Sequence, residues 1–242
     1  SGIISVANYN QLVVARDMAL VVQEVMQKDP IGAYAVEDIR FELGTNSGEP
    51  AIALEITYLH DYADIKKIQT VDTMEDAKEA ITKALNSCES GIVLHIQQYE
   101  QTDMVQWVDD YGDAYAEMLM EQPQVTENLY PEEGSSRIMV LKFSYQNSRE
   151  TLREMQTQVG KVVDTAVKAA RQEPDPALRF GALYDHLMGL FEEFQQETSM
   201  TPAYSLLIHG VGDCHAFATV YGAFCRRAGL ECMVVTGTRN GE

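Results

Sequence analysis

The 242-residue sequence repeats itself at an offset of 87 to 89 residues, so its first constraint is that two similar modules must form in tandem. Ser1-Gly2-Ile3-Ile4 aligns with Ser90-Gly91-Ile92-Val93 at an offset of 89, whereas Thr57-Tyr58 aligns with Ser144-Tyr145 and Ile68-Gln69-Thr70 with Met155-Gln156-Thr157 at 87. A two-residue insertion reconciles them. The copies run over about 1–72 and 90–157.

Within each copy the hydrophobic period alternates between 2 and 3.6 residues, which predicts strand, helix, strand, turn, strand, helix. The first helix, over 10–28, carries Leu12, Ala15, Ala19, Val22 and Met26 on one face; its counterpart over 103–121 carries Met104, Trp107, Tyr111, Tyr115 and Met118. Both stripes read as core. In the first copy Ile39, Phe41 and Leu43 alternate with Asp38, Arg40 and Glu42, and Ile52, Leu54, Ile56 and Tyr58 follow a turn over Gly44 to Pro50. In the second, Leu141, Phe143 and Tyr145 follow a turn from Pro131 to Ser136. One face of each sheet is then wet, as in antiparallel pairs packed under a helix. Residues 72–87 form a connecting helix.

From Asn147 the pattern becomes helix after helix. Leu152, Met155, Val159, Val162, Ala166 and Ala169 mark a long amphipathic helix that ends before Pro174 and Pro176. A second runs over 176–197 with Leu183, Leu187, Leu190, Phe191 and Phe194 inward, and Thr201-Pro202 starts a short third. The expected class is therefore α+β: a duplicated region over 1–146, its last helix shared, then a mainly helical region over 147–242.

Charge narrows the partners. Eighteen Lys+Arg against 37 Asp+Glu leave a formal charge of −19. Residues 1–160 hold 27 acidic and 11 basic side chains, and residues 161–242 hold 10 and 7. Nucleic acid and anionic membrane surfaces need clustered Lys/Arg, so neither is an expected partner. No apolar run approaches the roughly 20 residues of a membrane span. No charged and then apolar leader opens the chain; it begins Ser1-Gly2 rather than with Met, as after removal of a leader or tag. Cys88, Cys214, Cys225 and Cys232 contain no C-x-x-C pair, and four cysteines in 242 residues fall far below a disulfide scaffold.

The segment Ser205 to Ala218, reading through His209, Gly210, Val211, Gly212, Asp213, Cys214 and His215, is where chemistry concentrates. After a turn framed by Gly210 and Gly212, the apolar positions Cys214, Phe217, Ala218, Tyr221, Cys225 and Ala228 define a helix capped by Gly229, with Cys214 in its first turn. A strand follows at Val234-Val235-Thr236-Gly237. A thiol at a helix N-terminus faces unpaired N–H groups and the positive end of the macrodipole, which favour thiolate and make a nucleophile. The same position on an inward stripe also suits a small core hydrophobe. His215 lies about 100° round the helix from Cys214, and His209 would have to fold back to serve as a base. His209, Asp213, Cys214 and His215 lack the spacing of a tetrahedral zinc site. Asp109-Asp110 with Asp113, Glu132-Glu133 and Glu192-Glu193 lack a calcium loop. They read as solvated faces, His60, His95 and His186 as surface or satisfied core groups, and Cys88 as a surface or helix-end thiol. No metal or cofactor is expected.

Gly212-Asp213-Cys214, the small Ala218, Arg227-Ala228-Gly229-Leu230 and Val234-Val235-Thr236-Gly237 together resemble the transglutaminase-like superfamily, a papain-like cysteine fold. Its Gly-x-Cys turn opens the central helix, and a Gly-[Leu/Ile]-x-x-x-x-Val-x-Gly strand follows. Tyr184-Asp185 and Tyr204 look like its lead-in helices. Where bacterial members often have Gly-Tyr, Ala216 and Phe217 stand here. The resemblance implies that Cys214 attacks a carboxamide or peptide carbonyl to form a thioester, with a His as proton shuttle and an Asp orienting it. In the family those two follow the strand ending at Gly237, so 147–242 is expected to be an incomplete core, inactive alone. The implied activity is that of a bacterial-type protease, peptidase or amidase acting on a protein or peptide. It also implies a secreted or cell-surface location. The alternative is a non-catalytic binding or scaffold protein whose duplicated modules hold a protein or cell-surface ligand.

Overall fold

A computed structural model describes residues 1–5, 10–115, 117–190 and 202–235. The fold is mixed α+β, half helical and a quarter strand, with two sheets and nine helices among the described residues. The chain divides into two compact units: Ser1–Ile81 with Gly91–Thr102 and Glu127–Leu141, and Thr82–Ser90 with Asp103–Thr126 and Lys142–Glu242. Among the described residues no helix is long and apolar enough to cross a membrane.

The first unit holds most of both sheets. Strands β1 (Gly2–Ser5), β2 (Val36–Asn46) and β3 (Glu49–Tyr58) form an antiparallel sheet in the order β1-β3-β2. Strands β4 (Gln69–Thr73), β5 (Gly91–Gln98), β6 (Gln124–Tyr130) and β7 (Arg137–Ser144) form the other, in the order β4-β5-β7-β6. The expected turn over Gly44 to Pro50 shrinks to two residues, because Asn46 pairs with Glu49 and leaves only Ser47 and Gly48 outside the ladder. Both have positive φ, 54° and 89°, the backbone that matches strand twist in a two-residue hairpin. Gly48→Val is expected to cost about 1–2 kcal/mol, read by urea unfolding, because a branched side chain is strained at such a φ.

Helix α1 (Gln11–Gln27) falls where expected, with Asn10 as its cap, but its stripe is rotated. Leu12 is 83% exposed and Ala19 is exposed too, while Val14, Met18, Val22, Val25 and Met26 are half-buried. The inward face is set by α2 (Pro30–Ala35) and β2, which pack on α1. Gly32 permits this, since a Cβ there would collide with the Val25 carbonyl oxygen. A short helix α3 (Tyr62–Ile65) precedes β4, a strand the periodicity missed. Gln69-Thr70-Val71-Asp72-Thr73 is polar, and only its parallel pairing with β5, Gln69 to Leu94 through Thr73 to Gln98, makes it a strand. The third sequence match therefore pairs unlike structures: Gln69-Thr70 opens β4, whereas Gln156-Thr157 lies inside a helix. Helix α4 (Met74–Asn86) is the connecting helix.

The second unit is chiefly helical. Helix α5 (Met104–Ala114) stops well short of residue 121. The Gln122 amide donates to the Val108 carbonyl oxygen and the Asp109 carboxylate, and its side chain lies over Gly112 in the space that a Cβ there would take. The chain thus folds back after Tyr115, and Tyr115 and Met118 leave the expected core stripe and are exposed. Glu121 then accepts from the backbone N–H of Gln146 and Asn147 and from the Asn147 amide. This fixes the approach to α6 (Arg149–Ala170), capped by Ser148. Its buried face is Leu152, Met155, Val159, Val163, Ala166, Val167 and Ala170, with Ala169 exposed. Helices α7 (Pro176–Leu190), α8 (Pro202–His209) and α9 (Cys214–Ala228) complete the bundle. Phe191, Phe194, Glu192-Glu193 and Thr201 lie outside the described residues. Cys88, expected at a surface or helix end, follows α4 but is buried in the bundle core, and burial pushes its thiol pKa up.

Candidate functional site

Helix α9 packs against α6, α7 and α8 and sinks Ala216, Thr219, Val220, Ala223 and Phe224 completely. It is held at both ends by its own sequence. At the start Gly210, with φ 70°, closes α8 by donating its N–H to the Leu206 carbonyl oxygen. Gly212 then passes against α9, where a Cβ would sit 3.1 Å from that of Ala216. Asp213 is the cap, its carboxylate accepting the Ala216 N–H at 2.8 Å. At the end Gly229, with φ 78°, donates to Arg226 and Leu230 donates to Cys225, the paired bonds that reverse a chain at a helix C-terminus.

Cys214 is the first residue of α9 and is exposed. The inward stripe expected from Cys214 through Ala228 holds only in part: Cys225 and Ala228 are buried and Phe217 and Tyr221 half-buried, but Cys214 and Ala218 face out, and Ala216, Thr219 and Val220 take the core. The cause is that α9 is covered on several sides, so small residues rather than the apolar maximum mark the tightest contacts. The core-hydrophobe reading of Cys214 thereby falls. Asp213→Ala is expected to lower stability by about 1 kcal/mol in thermal unfolding, with Asp213→Asn close to wild type, because either side-chain oxygen can accept the Ala216 N–H.

His215 is half-buried, and exposed His209 packs edge-on against Tyr204 with ring centroids 5.6 Å apart. Among the described residues neither hydrogen-bonds to the Cys214 thiol, and no group of three or more His, Cys, Asp or Glu converges on a metal position. The other histidines have partners: His60 stacks on Tyr34, His95 Nε2 lies 2.9 Å from Ser136 Oγ, and His186 meets Phe224. Tyr184 on α7 contacts both Phe217 and Tyr221 edge-on.

Periodicity gave no hint of a cavity of about 570 Å³ near the other end of α9, lined by Tyr111, Tyr115, Met118, Gln156, Val163 and Arg226. The Arg226 guanidinium stacks on Tyr115 at 4.7 Å and pairs with Glu117 at 3.2 Å. Arg226 lies twelve residues after Cys214, about 18 Å along the helix at 1.5 Å per residue, so the cavity does not adjoin the thiol.

The bundle with an exposed cysteine opening its buried central helix defines a thiol-presenting α-helical core. Its residues 163–242, the C-terminal third of the chain, match the family model described as the transglutaminase-like superfamily. Comparison with curated proteins found no match, and comparison with solved structures found none either. The matched segment contains α7, α8 and α9, and the match suggests a cysteine-protease-like fold for this part of the chain.

Proposed function

We propose that the helical unit is the cysteine-bearing part of an acyl-transfer enzyme, a protease, peptidase or amidase, with Cys214 as nucleophile. The observation that carries this is the exposure of Cys214 at the first position of a central helix whose body is buried, within the family match. Free cysteines are usually buried, so an exposed one at a capped helix start asks for a role. The thiolate would add to the carbonyl of a carboxamide or peptide bond. Ammonia or an amine would leave with a proton, and the thioester would then pass its acyl group to water or an amine. In the family, the His that moves those protons and its Asp partner come from strands beyond the position of Gly237.

The strand-bearing region is the proposed companion that presents or recognises a protein or peptide substrate. A duplication over 1–146 is supported by the strand order, since β1-β3-β2 recurs as β5-β7-β6. The test of the enzyme reading is a peptide carrying a vinyl sulfone, with adducts mapped by mass spectrometry. A rate at Cys214 that saturates with probe concentration supports a built acyl site, whereas a strictly linear rate, equal to that of glutathione, overturns it.

A further inference from the structure

After the Gly229 cap the chain turns back along α9 in an alternating pattern. Leu230 is buried and Cys232 and Val234 are half-buried, while Glu231, Met233 and Val235 are exposed. Period-two alternation is what the sequence showed as a strand, but residues 231–235 join no ladder, because α9 rather than another strand lies beside them; Thr236 and Gly237 fall outside the described residues. Gly222 makes the approach possible: a Cβ there would meet Val234 Cγ2 at 2.8 Å. The Cys232 Sγ donates to the Gly222 carbonyl oxygen at 3.3 Å and packs against the core cluster that holds Cys225, which lies one turn further along the helix from Gly222.

We infer that Cys225 and Cys232 are a dithiol that closes to a disulfide under a disulfide oxidant such as glutathione disulfide, fastening the returning segment to the central helix. The inference is independent of the acyl-transfer reading. Cys225 is fully buried, and burial together with the Cys232 thiol pushes its pKa up to about 11, so the half-exposed Cys232 reacts first. Its thiolate attacks one sulfur of the oxidant, forming a mixed disulfide and releasing one glutathione thiolate. Cys225, as thiolate, then attacks the Cys232 sulfur and releases the second. Two protein thiols lose two protons and two electrons, and one glutathione disulfide becomes two glutathione thiols.

The experiment uses the full chain, reduced, desalted and exposed to glutathione disulfide at pH 8, then alkylated and cut with trypsin. Trypsin cleaves after Arg226 and Arg227, between the two cysteines, so a bridge holds two peptides together until reductant is added. Fragmentation then distinguishes Cys225 from Cys214, which shares its tryptic peptide. The expected result is a Cys225–Cys232 bridge in most molecules, a whole-chain mass lower by two hydrogens apart from any adduct at Cys214, and Cys232 left as a stable glutathione adduct in Cys225→Ser. Recovery of Cys225 as an alkylated thiol in the wild-type chain, whether Cys232 is free, glutathionylated or bridged to Cys214, overturns the inference.

Discussion

Iodoacetamide at pH 7 is expected to modify Cys214 at least about 100-fold faster than Cys88 or Cys225, and Cys214→Ala to remove that fast phase entirely. Cys88 and Cys225 are buried, and a thiol pushed to about 11 is thiolate in roughly one molecule in ten thousand at pH 7. Cys225 therefore reacts only when the bundle opens, whereas Cys214 stands at the exposed start of α9. Peptide mapping of the alkylated sites at early times checks the order. Uniform slow labelling of all four cysteines would remove the basis for a nucleophile. In any form of the protein that turns over a carboxamide or peptide, Cys214→Ala should lower kcat on the order of 10⁶-fold, as loss of a catalytic nucleophile does elsewhere. A smaller loss would place the chemistry on another residue.

Phe224→Ala is expected to be the most destabilising single substitution in the helical unit, at about 3–5 kcal/mol. Phe224 is 0% exposed, belongs to the same buried core cluster as Val220, Leu183 and Leu206, and has the His186 ring 6.1 Å from its own. Truncation removes both the transfer energy and the contacts of the ring, and backbone-bound neighbours on several helices cannot all move in to fill the space. At about 2–4 °C per kcal/mol for a chain of this size, the midpoint should fall by roughly 6–20 °C in thermal unfolding. Phe224→Leu should cost less, because most of the volume is kept. Equal effects of the two substitutions would mean that the site collapses freely and that α9 is not centrally packed.

Element type was legible where the apolar period was long and regular. Helices α1, α6 and α9, the β2–β3 hairpin and the C-cap Gly229 follow from local spacing alone. What local spacing could not give was phase. Leu12 and Cys214 both sit on apolar stripes, yet both face outward. The side of a helix that is buried depends on which neighbours arrive, α2 at Gly32 in one case and three helices around α9 in the other.

The sequence by itself determined the α+β class, a turn within Gly44–Pro50 and another at Gly210–Gly212, and the position of a cysteine at a helix start, because each rests on interactions within a few residues. Only the tertiary structure decided that Cys214 is exposed while Cys88 is buried, that the polar segment Gln69–Thr73 is a strand, and that Cys232 returns to Gly222 on α9. Those outcomes depend on partners distant in sequence or across a chain reversal, whose desolvation and pairing no local periodicity encodes.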